Sequence, residues 1–294
     1  MQKAQETSQS GPEKYKVLVP VSMSREEEPL VQGLYQVFRN WKRPVEITLF
    51  HALTIEEIHL RPTKEANFYE SLVRHRELSE QRLGEYAQFL REKLPAHGIE
   101  VVIEHEQLMP PVEAVRSYLR RDPSDMVVIF YKGRQRWESW IGRSAFWDLF
   151  EDLEVAVLAI SQPFTFAPKR FLWLCEMDVD DYRYIPKVLD VIRAFEGSLY
   201  CTKVNTPSSF YGHREFQRRM LAFCDYIVEH VDPDFVPQEC FPYNDKDVVT
   251  GAQHVMEDFL MDVLMVAPEG PLSLSEVGRL LTSGNFAILR LPVV

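Results

Sequence analysis

Binding a phosphate is the chemistry whose parts stand closest together in this chain. Gly133 and Gly142, with eight residues between them, could let backbone N–H groups approach an anion. Lys132, Arg134, Arg136 and Arg143 flank those glycines and could add forked or point positive charge. The same four charges also suit a solvated loop, which is the commoner role of such a run. Trp137, Trp140, Phe146 and Trp147 follow, and could stack on a base. Aromatic stripes at this spacing more often pack a loop onto a helix.

Other chemistries lack their parts. The eight histidines include no HExxH and no paired ligand spacing, so a metal site is not expected. The cysteines, Cys175, Cys201, Cys224 and Cys240, form no CxxC and read as reduced, mostly buried thiols. Asp178-Val179-Asp180-Asp181 lacks the glycine and distal glutamate of a calcium loop, and helix capping by Asp180 accounts for it better. There is no G-x-S-x-G, no Walker A loop and no dinucleotide fingerprint. No catalytic residue is assigned, and the chain is read as a non-enzyme in which a weak ATPase is the exception to test.

Composition narrows the partners. Hydrophobic residues make up 46% and charged residues 26% of 294, enough apolar material for a sizeable core. The formal charge is −11, from 44 acidic and 33 basic residues. That field repels phosphate backbones and anionic lipid, so neither nucleic acid nor direct membrane insertion is expected. No apolar run approaches the roughly 20 residues of a membrane span. Residues 1–13 are polar, without the apolar core of a signal peptide, and are expected to be a disordered tail. Together with the thiols this points to a cytoplasmic protein.

The elements that must hold these residues alternate. Tyr15 to Val21 is an apolar run of the kind buried on both faces of a sheet. Ser24-Arg25-Glu26-Glu27 has the form of a capping box, opening a helix with Leu30, Val31, Leu34, Val37, Phe38 and Trp41 on one face. Val45 to Ala52 is the second strand. A long helix follows, with Tyr69, Leu72, Val73, Leu83, Tyr86, Ala87 and Leu90 on one face. Strands at 99–103, 126–130 and 155–160, with helices between them, complete a doubly wound half. Pro163 and Pro168 bracket a linker, and the order recurs. Strands are expected at 171–175, 199–204, 263–266 and 286–291, with a Pro-broken segment near Val236 where a third should stand. The clearest internal match sets Asp125 to Gly133 against Asp262 to Gly270: Asp, four apolar residues, three variable ones, Gly.

These motifs together resemble tandem universal stress protein domains. Val17-Leu18-Val19-Pro20-Val21-Ser22 with Ser24 is similar to that family's first strand, and Leu49-Phe50-His51-Ala52 to its second. Asp125 to Gly133 is similar to its fourth strand and phosphate loop, and Val155 to Ile160 to its last strand. The resemblance implies an α/β fold with two doubly wound five-stranded parallel sheets, of the adenine nucleotide α-hydrolase-like, Rossmann-like type, related by a pseudo-twofold axis. The implied division is 14–163 for the first domain, 164–167 for the linker and 168–294 for a second, degenerate domain. The last strands are expected to pair antiparallel within the chain as a pseudo-dimer, since a bare apolar edge invites aggregation. A homodimer is a further partner the resemblance allows.

The resemblance implies a stress-response binding or regulatory module. Its cofactor would be an adenine nucleotide, ATP or AMP, with at most one weak site, in the first half. The residues implied are Val21, Ser22, Ala52, Gly133, Gly142, Arg143 and Ser144. Ser22 stands where the family has the acidic residue that holds the ribose, and Phe130 stands at the first glycine of the loop. In the second half Glu176 keeps the acidic position, but Ala267 replaces the first glycine and nearly the whole loop is missing. Two other readings compete. One is a competent ATP-binding protein with slow hydrolysis, the other a cytosolic regulatory domain of a membrane transporter.

Overall fold

Apolar runs too short for helices make the sheet, and the helices cover both its faces. A computed structural model describes residues 14–21, 28–54, 68–95, 97–104, 109–131, 143–160, 167–284 and 286–293. In chain order the first half contains β1 (Tyr15–Pro20), α1 (Glu28–Phe38), β2 (Val45–Ala52) and α2 (Phe68–Lys93). β3 (Gly98–Glu104), α3 (Pro111–Arg121), β4 (Met126–Phe130), α4 (Arg143–Asp152) and β5 (Ala156–Ile160) complete it. The second half contains β6 (Arg170–Leu174), the one-turn α5 (Val179–Tyr182), α6 (Ile185–Phe195), β7 (Ser198–Asn205) and α7 (His213–His230). β8 (Glu239–Asn244), α8 (Val248–Asp258), β9 (Val263–Val266), α9 (Leu274–Ser283) and β10 (Ala287–Arg290) follow. The expected tail 1–13, linker residues 164–166, the capping box 24–27, and Ser22, Gly133 and Gly142 lie outside the described residues.

Each half is a parallel set of five strands in a doubly wound order. The two sets share an edge, so one sheet runs β3-β2-β1-β4-β5-β10-β9-β6-β7-β8. At the seam β5 and β10 pair antiparallel, with Leu158 opposite Leu289 and Ala159 opposite Ile288. One apolar core lies between the sheet and α1, α2, α6 and α7, and the other between the sheet and α3, α4, α8 and α9. Both cores draw on both halves.

The repeated aspartate has one job in both halves. An Asp125 carboxylate oxygen accepts the Lys16 N–H at 2.7 Å, and Asp125 N–H donates to the Lys16 carbonyl at 2.8 Å. Asp262 accepts from the Lys169 and Arg170 N–H groups at 2.7 and 2.9 Å, and its own N–H donates to the Arg170 carbonyl at 2.9 Å. Each carboxylate thus anchors the start of the central strand of its half, at the end opposite any ligand.

Two elements differ from the sequence reading. The third strand of the second half is β8, running through Pro242 in the segment next to the one read as Pro-broken. It is the edge of the sheet and pairs only with β7, where a missing N–H is tolerated and apolar residues need not accumulate. The opening turns of α2 do not bury the expected face, and Tyr69 and Val73 are exposed. A helix of 26 residues runs about 39 Å, longer than neighbouring strands of seven or eight residues at about 3.3 Å each, so it overhangs the sheet. From Ser79 onward it buries Leu83, Tyr86, Ala87 and Leu90.

Candidate functional site

In a doubly wound sheet the ligand position lies beyond the C-terminal strand ends, where the strand order reverses. That point falls between β1 and β4 in the first half and between β6 and β9 in the second. The two halves fill it differently.

In the first half Val21 and Ala52 close the ends of β1 and β2, both buried. His51 donates from Nδ1 to the Val21 carbonyl at 2.9 Å, which bonds the two strand ends to each other. Burial pushes the His51 imidazole down to about 4, against the Val21 hydrogen bond, which works in the opposite direction. Arg143 and Ser144 open α4, so of the expected residues the structure brings Val21, Ala52 and the start of this helix to the same half of the sheet. Ser22, Gly133 and Gly142 fall outside the described residues. Phe130 and Tyr131 end β4 as buried residues. Tyr131, Phe146 and Trp147 form one aromatic cluster with centroids 4.8–5.9 Å apart. Trp147 lies against Gly278 of α9, where an added Cβ would sit 2.9 Å from the indole ring. Packing therefore holds Trp147 and Phe146, as the commoner reading of the stripe expects, while Trp137 and Trp140 are outside the described residues.

His51 makes the fold sensitive to acid. The unfolded chain protonates it near its ordinary value of about 6.5, and the folded chain only near 4. Its contribution to stability is complete above the unfolded value and is lost as pH falls through the folded one. The loss reaches about 3 kcal/mol. His51→Asn, whose amide can still donate to Val21, should flatten that part of the curve in urea titrations between pH 7 and 4. An unchanged slope would show that His51 is not its source.

In the second half the same position is occupied by the chain itself. Register makes the correspondence explicit: Lys16 pairs with Glu46 and Arg170 with Ser198, so His51 and Lys203 stand at equivalent places, as do Val21 and Cys175. Lys203 is only 3% exposed. Its ammonium donates to Glu176 Oε1 at 2.6 Å and to Ser209 Oγ at 2.9 Å. Tyr211 donates its hydroxyl to Glu176 Oε2 at 2.9 Å, so both carboxylate oxygens are engaged. Burial, then the Glu176 carboxylate, pushes the Tyr211 phenol up to about 12, which keeps it a donor. Arg219 of α7 stacks its guanidinium 4.4 Å from the Tyr211 ring. Asn205, at the end of β7, bonds Asn244 on β8 and the Tyr211 backbone.

The anion end of this second position is closed as well. After β9 the chain makes a tight turn, Gly270 N–H donating to the Ala267 carbonyl at 3.0 Å, and Glu269 pairs with Arg183. At the start of α9 the Glu276 carboxylate takes both the N–H and the hydroxyl of Ser273 at 2.7 Å. A helix start whose donors already face a carboxylate does not attract phosphate. Asp178 likewise caps α5, accepting from Asp180 N–H, so the cap the sequence reading gave to Asp180 belongs two residues earlier, because the helix already starts at Val179. Lys203, Tyr211, Asn205 and Ser209 were not singled out in the sequence. The available signal was a lysine inside the apolar run Leu199 to Val204, since a strand buried on both faces leaves a cation no water and requires a counter-ion.

Among the described residues no helix is long and apolar enough to cross a membrane. No family model and no curated relative matches the chain. Solved structures do. A universal stress protein from Archaeoglobus fulgidus DSM 4304 superposes with a TM-score of 0.70 at 12% identity, covering 94% of this chain and 98% of that one. A functionally unknown protein from Pseudomonas aeruginosa PAO1 gives 0.56 at 10% identity, covering 95% and 93%. The whole chain, both halves together, therefore has the α/β fold of a universal stress protein structure.

Proposed function

We propose that this chain is a non-catalytic binding or regulatory module of the universal stress protein type, in which the second half is a structural copy and only the first half takes a ligand. The ligand is an adenine nucleotide held weakly by Val21, Ser22, Ala52, Gly133, Gly142, Arg143 and Ser144. The observation that carries this reading is the Lys203–Glu176–Tyr211 cluster, which satisfies the second position from within and engages both oxygens of its carboxylate. In the first half His51 stands where the second half has Lys203, and burial keeps its imidazole neutral while it bonds the Val21 carbonyl.

Weak binding follows from Ser22. A charge-assisted hydrogen bond to a ribose is worth about 1.5–3 kcal/mol, or roughly 10- to 100-fold in affinity. Calorimetric titration with ATP should therefore give weak binding to the wild type, none to Gly142→Trp, and an affinity gain of that order in Ser22→Asp. Tight binding that survives Gly142→Trp, or that disappears in Glu176→Gln, would put the ligand elsewhere.

A further inference from the structure

Two described elements flank the ligand position of the first half, the end of β4 and the start of α4. Both rest on α9, which belongs to the second half. The antiparallel seam is the reason. β10 starts beside the end of β5, so the last turns of α9, which lead into β10, lie at the first half's ligand end. Thr282 Oγ1 stands 3.4 Å from the Tyr131 hydroxyl and donates its own proton to the Gly278 carbonyl at 2.7 Å. With that proton committed, the Tyr131 hydroxyl is the donor to Thr282. Tyr131 follows β4 directly, and its N–H donates to the Ile160 carbonyl at the end of β5 at 2.8 Å. Trp147, in the first turns of α4, sets its indole ring on Gly278.

Gly278 is where the two flanks meet. A Cβ there would stand 2.9 and 3.1 Å from indole carbons of Trp147 and 4.0 Å from the Tyr131 hydroxyl oxygen. The indole cannot swing away freely, because Tyr131, Phe146 and Phe150 surround it at centroid distances of 5.9, 4.8 and 6.0 Å. Glycine inside a helix is unfavourable relative to alanine, so α9 gives up helical stability at the position that receives this ring. The match of Asp125 with Asp262 sets Pro268 at the place of Tyr131, and a proline has no hydroxyl to send across the seam.

We propose that Gly278 and Thr282 are positioning residues of the first-half ligand site, so that the second half sets where the end of β4 and the start of α4 stand. The proposal rests on the nucleotide reading above. Neither residue touches the nucleotide; both act through Trp147 and Tyr131. An added Cβ at Gly278 must push the indole about half an ångström to reach ordinary contact, and Trp147 belongs to the helix whose first N–H groups face the anion.

The test is calorimetric titration of the full-length protein with ATP, paired with hydrogen exchange on the ligand-free chain. Gly278→Ala should bind ATP about tenfold more weakly than wild type, through overpacking strain. Combined with Trp147→Phe, it should bind within about twofold of Trp147→Phe alone, because the smaller ring leaves room for the Cβ. Thr282→Val, which removes the acceptor, should weaken binding about threefold, and Thr282→Ser, which keeps it, should not. Gly197→Ala is the control. Its Cβ would meet Phe171 at 2.6 Å on the opposite face of the sheet, so it strains the fold and should leave ATP affinity unchanged. Without ligand, amide exchange should speed up in α4 of Gly278→Ala and not in α4 of Gly197→Ala. A wild type that binds no ATP would overturn the nucleotide reading and this proposal with it. Wild-type binding that Gly278→Ala leaves intact, that Gly197→Ala weakens equally, or that Trp147→Phe fails to restore would overturn this proposal alone, as would unchanged exchange in α4.

Discussion

Glu176→Ala is expected to lower the free energy of unfolding by about 3–5 kcal/mol, although Glu176 itself is partly open to water. The cost comes from Lys203, whose side chain is 3% exposed and whose strongest partner is the Glu176 carboxylate at 2.6 Å. Without it the ammonium keeps, among the described residues, Ser209 Oγ and the face of the Tyr211 ring, 5.2 Å from its centroid. Neither can neutralise a desolvated charge. The reverse change, Lys203→Met, should cost less. It leaves a carboxylate that water can reach and that still accepts the Tyr211 hydroxyl. Replacing both residues, as in Lys203→Met with Glu176→Leu, should recover most of the loss, because an apolar pair removes the desolvation penalty together with the attraction. Urea unfolding of the two single variants and the double gives the coupling directly. If Glu176→Ala costs under about 1 kcal/mol, or if the double loss equals the sum of the single losses, the pair does not hold this end of the sheet together.

The parts that were legible in the sequence are those whose environment is uniform along the chain. β4, β5 and β9 are buried on both faces, so each reads as an unbroken apolar run, as does β1 after Lys16, and the helices between them follow from spacing alone. The Asp125 and Asp262 match was visible as a pattern. Its role was not, because a carboxylate that anchors the first strand from just before the fourth is defined by a contact between residues 109 apart in one half and 92 apart in the other. β8 escaped for the opposite reason: an edge strand needs neither hydrophobicity nor every N–H, so Pro242 and exposed positions removed the signal. Glu176 was singled out in the sequence as a possible counterpart of the family's carboxylate, and it stands directly after β6 and Cys175. What cancels it comes from 27 residues further on in Lys203 and 35 further on in Tyr211, and only strand register brings them together. The helix start at Arg143-Ser144 was legible, whereas Ser22, Gly133 and Gly142 lie outside the described residues.

Trp41→Ala is expected to cost about 3–5 kcal/mol, the range for removing a large buried aromatic, and to be felt in both halves of the chain. Trp41 follows α1 in the first half, yet its ring meets Phe195 of α6 in the second edge-on at 4.5 Å. Tyr15 and Phe38 lie 5.0 and 5.2 Å away, completing a cluster that joins α1 and β1 of the first half to α6 of the second. Arg43 and Asp190 pair across the same junction at 2.6 Å. On the other face of the sheet Trp147 lies against Gly278, and Arg290 donates across the seam to the Leu153 carbonyl. With a continuous sheet and both cores shared, neither half can open without exposing the other's apolar edge. Unfolding should therefore be a single transition, and hydrogen exchange in Trp41→Ala should accelerate in β6 and β7 as well as in β1 and β2. Among the described residues the Trp41 indole N–H meets no acceptor, so Trp41→Phe sacrifices ring area and should keep most of the stability. Two separate melting steps, or faster exchange confined to β1 and β2, would mean that the halves are stable alone and that the seam only joins them.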